Sequence, residues 1–309
     1  MKLISIAAGC YNEAENLDDF TSRVRAVFEK LPQYELELIL IDNASTDGSE
    51  QILRRLAAED QRIKVILNAR NFGHIRSPFH ALLQCRGEAC LQMASDLQDP
   101  PEMIPQFLAK WEAGYKAVVG VKDKSEESPL LFALRKAYYD LIHRLAEFDI
   151  IRNFTGFGLY DRVIIEYLRK LDDPYPYLRG LIADIGLPTA QVTFTQPRRK
   201  RGLTKNNFYS LYDMAMLGIT NHSKVPLRLA TMMGFALSAL SLLIGLGYFI
   251  YKLLYWNRFS VGVAPVAIGL FLFASVQLIF IGILGEYIGA IHTQVLKRPH
   301  VVERERINF

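Results

Sequence analysis

Carboxylate, amide and phenol side chains follow each of four short apolar segments in the first 100 residues. Any one of these residues could be a helix cap or a turn residue. Their recurrence after four segments in a row instead predicts a shared polar site. Two of them, Asp96 and Gln98, would supply the hard oxygen ligands that Mg²⁺ or Mn²⁺ prefers. In chain order the polar residues are Tyr11, Asn12, Glu13, Asp42, Asn43, Ser45, Thr46, Asp47, Arg70, Asn71, Asp96, Gln98 and Asp99.

The four segments belong to an alternating pattern of predicted strands and helices. Apolar runs predict strands at 3–9, 36–42, 63–68, 89–95 and 116–121, and amphipathic stretches predict helices near 14–31, 48–60, 74–86 and 101–113. The alternation predicts an α/β, Rossmann-like domain with a parallel sheet and helices on both faces. Ligands of such sheets bind beyond the carboxyl ends of the strands, where the polar residues fall. The sequence has no GxGxxG or GxxxxGK[ST] loop, so it does not support a dinucleotide fold or a P-loop.

Two long runs without a charged residue follow near the C-terminal end, 23 residues at 229–251 and 27 residues at 259–285. At about 1.5 Å per helical residue, each can cross a hydrocarbon core of about 30 Å. We therefore predict two transmembrane helices within residues 227–287, at about 229–251 and 261–285; a pair of buried core helices is the alternative. Their glycines would permit close helix packing within one chain or in a homo-oligomer. These glycines are Gly234, Gly245, Gly269, Gly282, Gly285 and Gly289.

The net charge of +4 hides an asymmetry along the chain. Residues 198–309 contain 13 Lys and Arg against 4 Asp and Glu, whereas residues 1–197 have a net charge of −5. A mildly acidic folded domain argues against a nucleic-acid partner. Eleven of these 13 basic residues flank the hairpin, and its loop holds only Lys252 and Arg258. This asymmetry predicts an integral protein of the inner (plasma) membrane with both termini cytoplasmic. We expect a cytoplasmic domain at 1–205, an interfacial helix (or an ordinary packed helix) at 206–226 and a cytoplasmic tail at 288–309.

The chain has three cysteines, Cys10, Cys85 and Cys90. An odd and sparse set does not make a disulfide framework and suits a reducing compartment. Cys85 and Cys90 are interpreted as two small core residues rather than as half of a metal site.

The order of the motifs resembles a known enzyme family. YNEAENL, IDNASTDGS, RNFG and SDLQDPPE, which follow the first four predicted strands, resemble the nucleotide-sugar domain of family-two glycosyltransferases. TGFGLYDR (155–162), PYLRGL (176–181), the residues Arg199, Gly202, Thr204 and Lys205, and the stretch GEYIGAIHTQVLKRP resemble its polyprenyl-phosphate branch. That branch includes dolichol-phosphate mannose synthase and bacterial two-span undecaprenyl-phosphate glucosyltransferases. The resemblance implies an A-type glycosyltransferase fold followed by the two spans.

The resemblance also implies a reaction, in which a hexose, here glucose from UDP-glucose, passes to undecaprenyl phosphate with inversion and with Mg²⁺ or Mn²⁺ as cofactor. The implied catalytic candidates are Asp96, Asp99 and Asp161, although an anionic acceptor does not strictly need a general base. The implied metal ligands are Asp96 and Gln98. The implied donor-binding residues are Tyr11, Asn12, Glu13, Asp42, Asn71, Ala94 and Asp96. The implied ligands of the acceptor phosphate are Arg135, Arg179, Arg199, Arg201 and Lys205.

The chain departs from the family pattern in its metal motif. Ala94 stands where the first acid of Asp-x-Asp-x-Gln is usual, and Asn43 stands where a second Asp often follows Asp42. We expect Ala94 to impair turnover while the fold survives. Two alternatives remain open: a catalytically dead membrane scaffold that binds nucleotide-sugar, and a different donor such as GDP-mannose. A processive polysaccharide synthase is not supported, because the chain lacks a Q-x-x-R-W motif and further spans.

Overall fold

The computed structural model describes residues 1–123, 151, 153–197, 216, 220, 224–255 and 263–309. Most of the segment predicted as an interfacial helix, 206–226, lies outside the described residues. Four of the five predicted acceptor ligands also lie outside them: Arg135, Arg199, Arg201 and Lys205.

The predicted strands and helices of the first 122 residues are confirmed to within three residues at each end. The strands are β1 (Lys2–Cys10), β2 (Tyr34–Asp42), β3 (Ile63–Asn68), β4 (Ala89–Ala94), β5 (Ala117–Lys122), β6 (Phe154–Asp161), β7 (Thr189–Phe194) and β8 (Glu303–Ile307). The helices are α1 (Ala14–Glu29), α2 (Ser49–Glu59), α3 (Gly73–Gln84), α4 (Ile104–Glu112), α5 (Arg162–Lys170), α6 (Leu178–Asp184), α7 (Val225–Leu254) and α8 (Val263–Leu296), and a 3₁₀ turn, Pro101–Met103, precedes α4.

The described strands form one sheet in the order β7-β5-β6-β4-β1-β2-β3-β8. β1 pairs in parallel with β2 and with β4, so that Cys10 lies opposite Asp42 and Gly9 lies opposite Ala94. β1, β2, β3 and β4 therefore end at one edge of the sheet, which we call the strand-end edge. The five predicted strands, β1 to β5, run in the same direction, which confirms the expected parallel arrangement, whereas β6 and β8, which were not predicted, run antiparallel to their neighbours. The α/β, A-type architecture is kept, since such sheets often carry antiparallel strands.

Alternation along the strands builds a core on each face of the sheet. On one face, Ile4 and Ile6 of β1 join the apolar residues of α1, α2 and α4. On the other face, Ala7 of β1 joins the apolar residues of α3, α5 and α6. Helices on both faces thus hold the strands in place and leave the strand-end edge to its loops.

The C-terminal residues return to the N-terminal domain. β8 pairs antiparallel with β3, and the Asn308 side chain donates hydrogen bonds of 2.7 Å and 2.8 Å to the carbonyl oxygens of Ala57 and Ile63. The Phe309 ring packs against the core on the α3 face. The folded domain is therefore not the continuous segment 1–205, because residues of the predicted tail, 288–309, complete its sheet.

Two described helices are long and apolar enough to cross a membrane, at Val225–Tyr251 and Leu272–Leu296. The second helix continues eleven residues beyond the predicted end at 285, and it stops where Lys297 adopts a φ of 43° and Pro299 follows. A charge at Glu286 ends an apolar run but not a helix, whereas a left-handed residue and a proline end a helix. Among the described residues, no atom lies within 4 Å of the position that a Cβ would take on any of the six glycines named above, so none of them makes a close packing contact there.

The three cysteines are buried, as expected for core residues. The structure nevertheless joins Cys85, directly after α3, to Cys90 of β4 in a disulfide, which we did not expect. Cys10 at the end of β1 is free. Burial, together with the nearby Asp42 charge, raises the pKa of the Cys10 thiol to about 12. A thiol with that pKa is a packing residue and not a nucleophile.

A buried charged network joins the first three strands. The Glu37 carboxylate of β2 accepts hydrogen bonds from the Ser5 hydroxyl, from the Lys64 ammonium at 2.5 Å and from the Arg86 amide at 2.8 Å. Burial alone would raise the pKa of Glu37, but these donors bring it below its ordinary value. The charged form is therefore the one that the fold stabilises.

We expect Glu37→Gln to reduce the free energy of unfolding by about 3 kcal/mol, because it leaves the Lys64 charge largely buried without its partner. The thermal midpoint in detergent should fall by roughly 6–12 °C at pH 7. Because folding lowers the pKa of Glu37, the native protein should be more stable than Glu37→Gln at every pH above about 4.3. This difference in stability should shrink as the pH falls below that value. Glu305→Gln, which removes an exposed partner of Arg54, is the control and should leave the midpoint close to that of the native protein. Equal shifts for both variants would contradict this account.

Candidate active site

The loops after β1 and β2 are tied together by hydrogen bonds. The Asn12 amide donates to the Ser45 hydroxyl at 2.8 Å, and the Asn12 side-chain oxygen accepts from the Thr46 amide at 2.8 Å. The Glu13 amide donates to the Ser49 hydroxyl at 3.1 Å. These contacts fix the segment that contains Tyr11, Asn12 and Glu13 against the loop that precedes α2. Asn12 adopts a φ of 55°, a left-handed conformation that asparagine tolerates better than most residues.

Asp42 is buried and its carboxylate is engaged within its own loop. It accepts hydrogen bonds from the Ser45 amide at 3.0 Å and from the Ser45 hydroxyl at 2.5 Å. Burial raises the pKa of Asp42, and the nearby charges of Glu50 and Asp47 add to this, while the two Ser45 donors oppose it. The structure thus gives Asp42 a role in shaping the loop, and its binding of a donor stays a prediction.

Asn43 links the loop after β2 to the loop after β3. Its side-chain NH₂ donates to the Asn71 side-chain oxygen at 2.9 Å and to the Gly73 carbonyl at 3.2 Å. Its side-chain oxygen accepts from the Phe72 amide at 2.8 Å and from Asn68 at 3.2 Å. An aspartate at this position could not make the two donations. The amide at position 43 is therefore fitted to this loop, which holds the predicted site residue Asn71.

The segment from Ala94 to Asp99 forms a closed turn at the end of β4. The Ala94 amide donates to the Asp99 carboxylate at 2.9 Å, and the Gln98 amide donates to the Asp96 carboxylate at 3.1 Å. Leu97 adopts a φ of 64° with its side chain buried in the core. A left-handed leucine persists only where its surroundings hold it, and such strain is concentrated at functional sites.

Asp99 is buried in a mixed electrostatic environment. Burial raises its pKa to about 7, the Asp96 charge adds to this, and the Ala94 amide, Lys122 and Arg179 oppose it. Asp96 and Arg179 therefore both act electrostatically on Asp99, and the roles of the three residues in catalysis and binding stay predictions. Lys122 at the end of β5 was missed, because a lysine that closes an apolar run gives no signal of a site until the sheet order is known.

The donor set of this turn fits a divalent cation. Asp96 and Gln98 are both half-exposed and lie on one turn. Within the described residues no cluster of three or more His, Cys, Asp and Glu side chains could hold a metal by itself. Mg²⁺ commonly uses one or two carboxylates and completes its shell with waters and substrate phosphates. Asp96 and Gln98 therefore fit a metal that shares its ligands with a bound diphosphate.

Asp161 does not belong to the site. It lies opposite Ala89 at the beginning of β4, whereas the site lies beyond the end of that strand. Its carboxylate accepts from the Trp111 ring nitrogen at 2.8 Å and from Lys116 at 3.0 Å, and it caps α5 through the Val163 amide. This placement contradicts the predicted catalytic role and gives Asp161 a structural one.

Comparison with known proteins identifies the family of this site. A profile described as glycosyl transferase family 2 matches residues 5–169, which contain every loop described above. The chain belongs to glycosyl transferase family 2. It is therefore a glycosyltransferase, and the strand-end edge is its candidate active site.

Relatives of this family-2 chain match it from end to end. A bactoprenol glucosyl transferase of Shigella phage SfX is 32% identical over 304 residues, which are 98% of this chain and 99% of that protein. A prophage bactoprenol glucosyl transferase homolog of Escherichia coli (strain K12) is 30% identical over 303 residues, with 97% and 98% covered. Among solved structures, mannosyl-3-phosphoglycerate synthase from Rubrobacter xylanophilus is 17% identical over 75% of each chain, with a TM-score of 0.48.

We expect Asn43→Asp to loosen the loop after β3, because it replaces two donated hydrogen bonds by a carboxylate facing the oxygens of Asn71 and Gly73. The free energy of unfolding should fall by about 2–3 kcal/mol. Hydrogen exchange of a peptide covering 68–75 should become faster. Gln51→Glu makes the same amide-to-carboxylate change on the exposed face of α2 and should alter neither quantity. Unchanged exchange at 68–75 in Asn43→Asp would rule out the linking role.

Proposed function

We propose that this glycosyltransferase moves glucose from UDP-glucose to the phosphate of undecaprenyl phosphate at the inner (plasma) membrane. The observation that carries the proposal is the full-length similarity to proteins named bactoprenol glucosyl transferase, which covers 97–98% of this chain and therefore includes both apolar helices. A polar strand-end edge without a glycine-rich phosphate loop, followed by two membrane-length helices, is consistent with it.

In the proposed reaction an oxygen of the lipid phosphate attacks the anomeric carbon of glucose. The bond from that carbon to the UDP oxygen breaks, UDP leaves with the electron pair, and the configuration inverts in one displacement. A phosphate monoester is already largely ionised at pH 7, so the step needs no proton acceptor. We therefore assign Asp99 to holding the 94–99 turn rather than to proton transfer.

Asp96 and Gln98 would hold the Mg²⁺ or Mn²⁺ cofactor. When bound, such a cation would neutralise negative charge on the diphosphate. Tyr11, Asn12, Glu13 and Asn71 belong to the loops that would surround the nucleotide, and Arg179 would face the acceptor phosphate.

The return of the chain to its own sheet supports the proposed orientation. The domain precedes α7 and β8 follows α8, yet β8 pairs with β3 of that domain. If both helices span the membrane, the domain and the C-terminal strand lie on one side of it. Lysine and arginine flanking the two spans favour the cytoplasmic side.

The experiment that tests the proposal is transfer of radiolabelled glucose from UDP-glucose to undecaprenyl phosphate by the purified protein in detergent with Mn²⁺ or Mg²⁺. We expect lipid-linked label, and we expect Ala94→Asp to raise the rate at least tenfold, because a second carboxylate beside Asp96 strengthens a cation site. Ala113→Asp on the exposed end of α4 is the matched control and should leave the rate unchanged. No gain from Ala94→Asp would refute the proposed impairment.

Absence of label from both forms, with binding of UDP retained, would favour the non-catalytic scaffold. Label from GDP-mannose and not from UDP-glucose would overturn the choice of donor and leave the acceptor proposal standing.

A binding measurement tests the metal ligands without relying on turnover. We expect Mn²⁺ to tighten the binding of UDP at least tenfold, and we expect Asp96→Asn to abolish this gain by removing the charged ligand. Titration calorimetry with and without Mn²⁺ measures both affinities. Asp19→Asn, on the exposed face of α1, should keep the full effect of the metal. A metal effect that survives in Asp96→Asn would remove that residue from the metal site.

A further inference from the structure

Four arginines from separate parts of the chain lie beside the strand-end edge. Arg70 and Arg76 come from the loop after β3 and from α3, Arg179 lies in α6, and Arg298 follows α8 by two residues. The guanidinium carbon of Arg70 lies 4.0 Å from the centroid of the Phe72 ring, and that of Arg76 lies 5.5 Å from the same centroid. Two guanidinium groups thus lie against the Phe72 ring. We call the four residues the arginine cluster.

The described part of the protein does not neutralise the arginine cluster. No carboxylate there makes an ion pair with any of the four, in contrast to Arg54 and Arg55, which each contact two. Burial lowers the pKa of Arg76, and the positive charges of Arg70 and Arg298 lower it further. Guanidinium groups that come from separate segments and that pair with no described carboxylate are suited to bind an anion, and their planar donors match phosphate oxygens.

The end of α8 holds Arg298 in this position. It is fastened to the loop between α5 and α6, and that loop also presents the Tyr175 ring at 5.9 Å from the Arg76 guanidinium. The contacts are Gln294 to the Asp173 carboxylate at 2.8 Å, Lys297 to the Asp172 carboxylate at 2.9 Å, and the His300 ring to the Asp173 carbonyl at 2.7 Å. Arg298 is therefore placed by its neighbours in the chain, and no carboxylate in the described ranges pairs with it.

The arginine cluster connects two places that matter for the proposed reaction. Arg298 follows directly on Leu272–Leu296, the second membrane-length segment. Arg179 acts electrostatically on the buried Asp99 beside the 94–99 turn. Positive charge therefore extends from the end of the apolar helix to the strand-end edge.

We propose that Arg70, Arg76 and Arg298 bind the phosphate of the lipid acceptor as it leaves the membrane surface and deliver it to Arg179 at the strand-end edge. This inference rests on the proposed function and names the residues through which the acceptor enters. It adds the loop after β3, the helix α3 and the segment after α8 to the predicted acceptor site.

The test is direct binding of geranyl phosphate, a short prenyl phosphate, and of UDP to the full chain in detergent by titration calorimetry. Arg76→Met should raise the Kd for geranyl phosphate about ten- to a hundredfold, as expected for losing charge-assisted hydrogen bonds to phosphate, and change the Kd for UDP less than twofold. Arg76→Lys should recover part of the loss. Arg298→Gln, at an exposed position, should also weaken the binding of geranyl phosphate. Arg304→Gln is the control and should not, because Arg304 lies on β8 and pairs with Glu50 of α2.

Each other outcome has a definite meaning. A native chain that binds UDP but not geranyl phosphate contradicts the proposed function itself. Native binding of both, with unchanged geranyl phosphate affinity in Arg76→Met and Arg298→Gln, overturns the arginine cluster alone. A loss confined to UDP would make it a donor site and overturn the proposal. Weaker adsorption to phosphatidylglycerol vesicles, with geranyl phosphate affinity unchanged, would assign it to membrane lipids and also overturn the proposal.

Discussion

The parallel pairing of β1 with both of its neighbours is the constraint on which the site depends. It sets Cys10 against Asp42 and Gly9 against Ala94, so three strands end level with one another. Their loops can then exchange hydrogen bonds, as Asn12 does with Ser45 and Thr46. A shift of one residue in this register would turn every side chain of the strand to the other face. The hydrophobic cores on the two faces of the sheet hold this register. They therefore position the loops of the site as well as stabilise the fold.

In the 94–99 turn, the residues that stabilise the fold differ from the position at which a carboxylate for the proposed chemistry is missing. The Asp99 carboxylate holds the turn through the backbone amide of Ala94, and Leu97 anchors it in the core. Neither contact uses the side chain at position 94. An alanine there is compatible with a well-formed turn, although it supplies no carboxylate. A family motif can therefore lose a charged group without leaving a trace in the surrounding geometry.

Local pattern predicted the first five strands and four helices because each carries its own apolar periodicity. The same reasoning missed β8, whose residues, ERERI, present a charged side chain at almost every position. That segment is a strand because β3 offers an unpaired edge, a tertiary cause that no window of sequence contains. Asp161 was misplaced for a related reason: its distance from the site follows from the antiparallel direction of β6. Asn43 looked like a departure from a motif until its partners were known.

The return of the chain after α8 gives the membrane segments a second role under the proposed function. If the residues before α7 were the only connection between the hairpin and the domain, that single connection would have to set the height of the strand-end edge above the bilayer. Here α8 is also fastened to the loop between α5 and α6, and β8 continues the sheet. Two connections fix a body more firmly than one. The lipid phosphate, whose own height is set by the bilayer, would then meet a site held at a matching height.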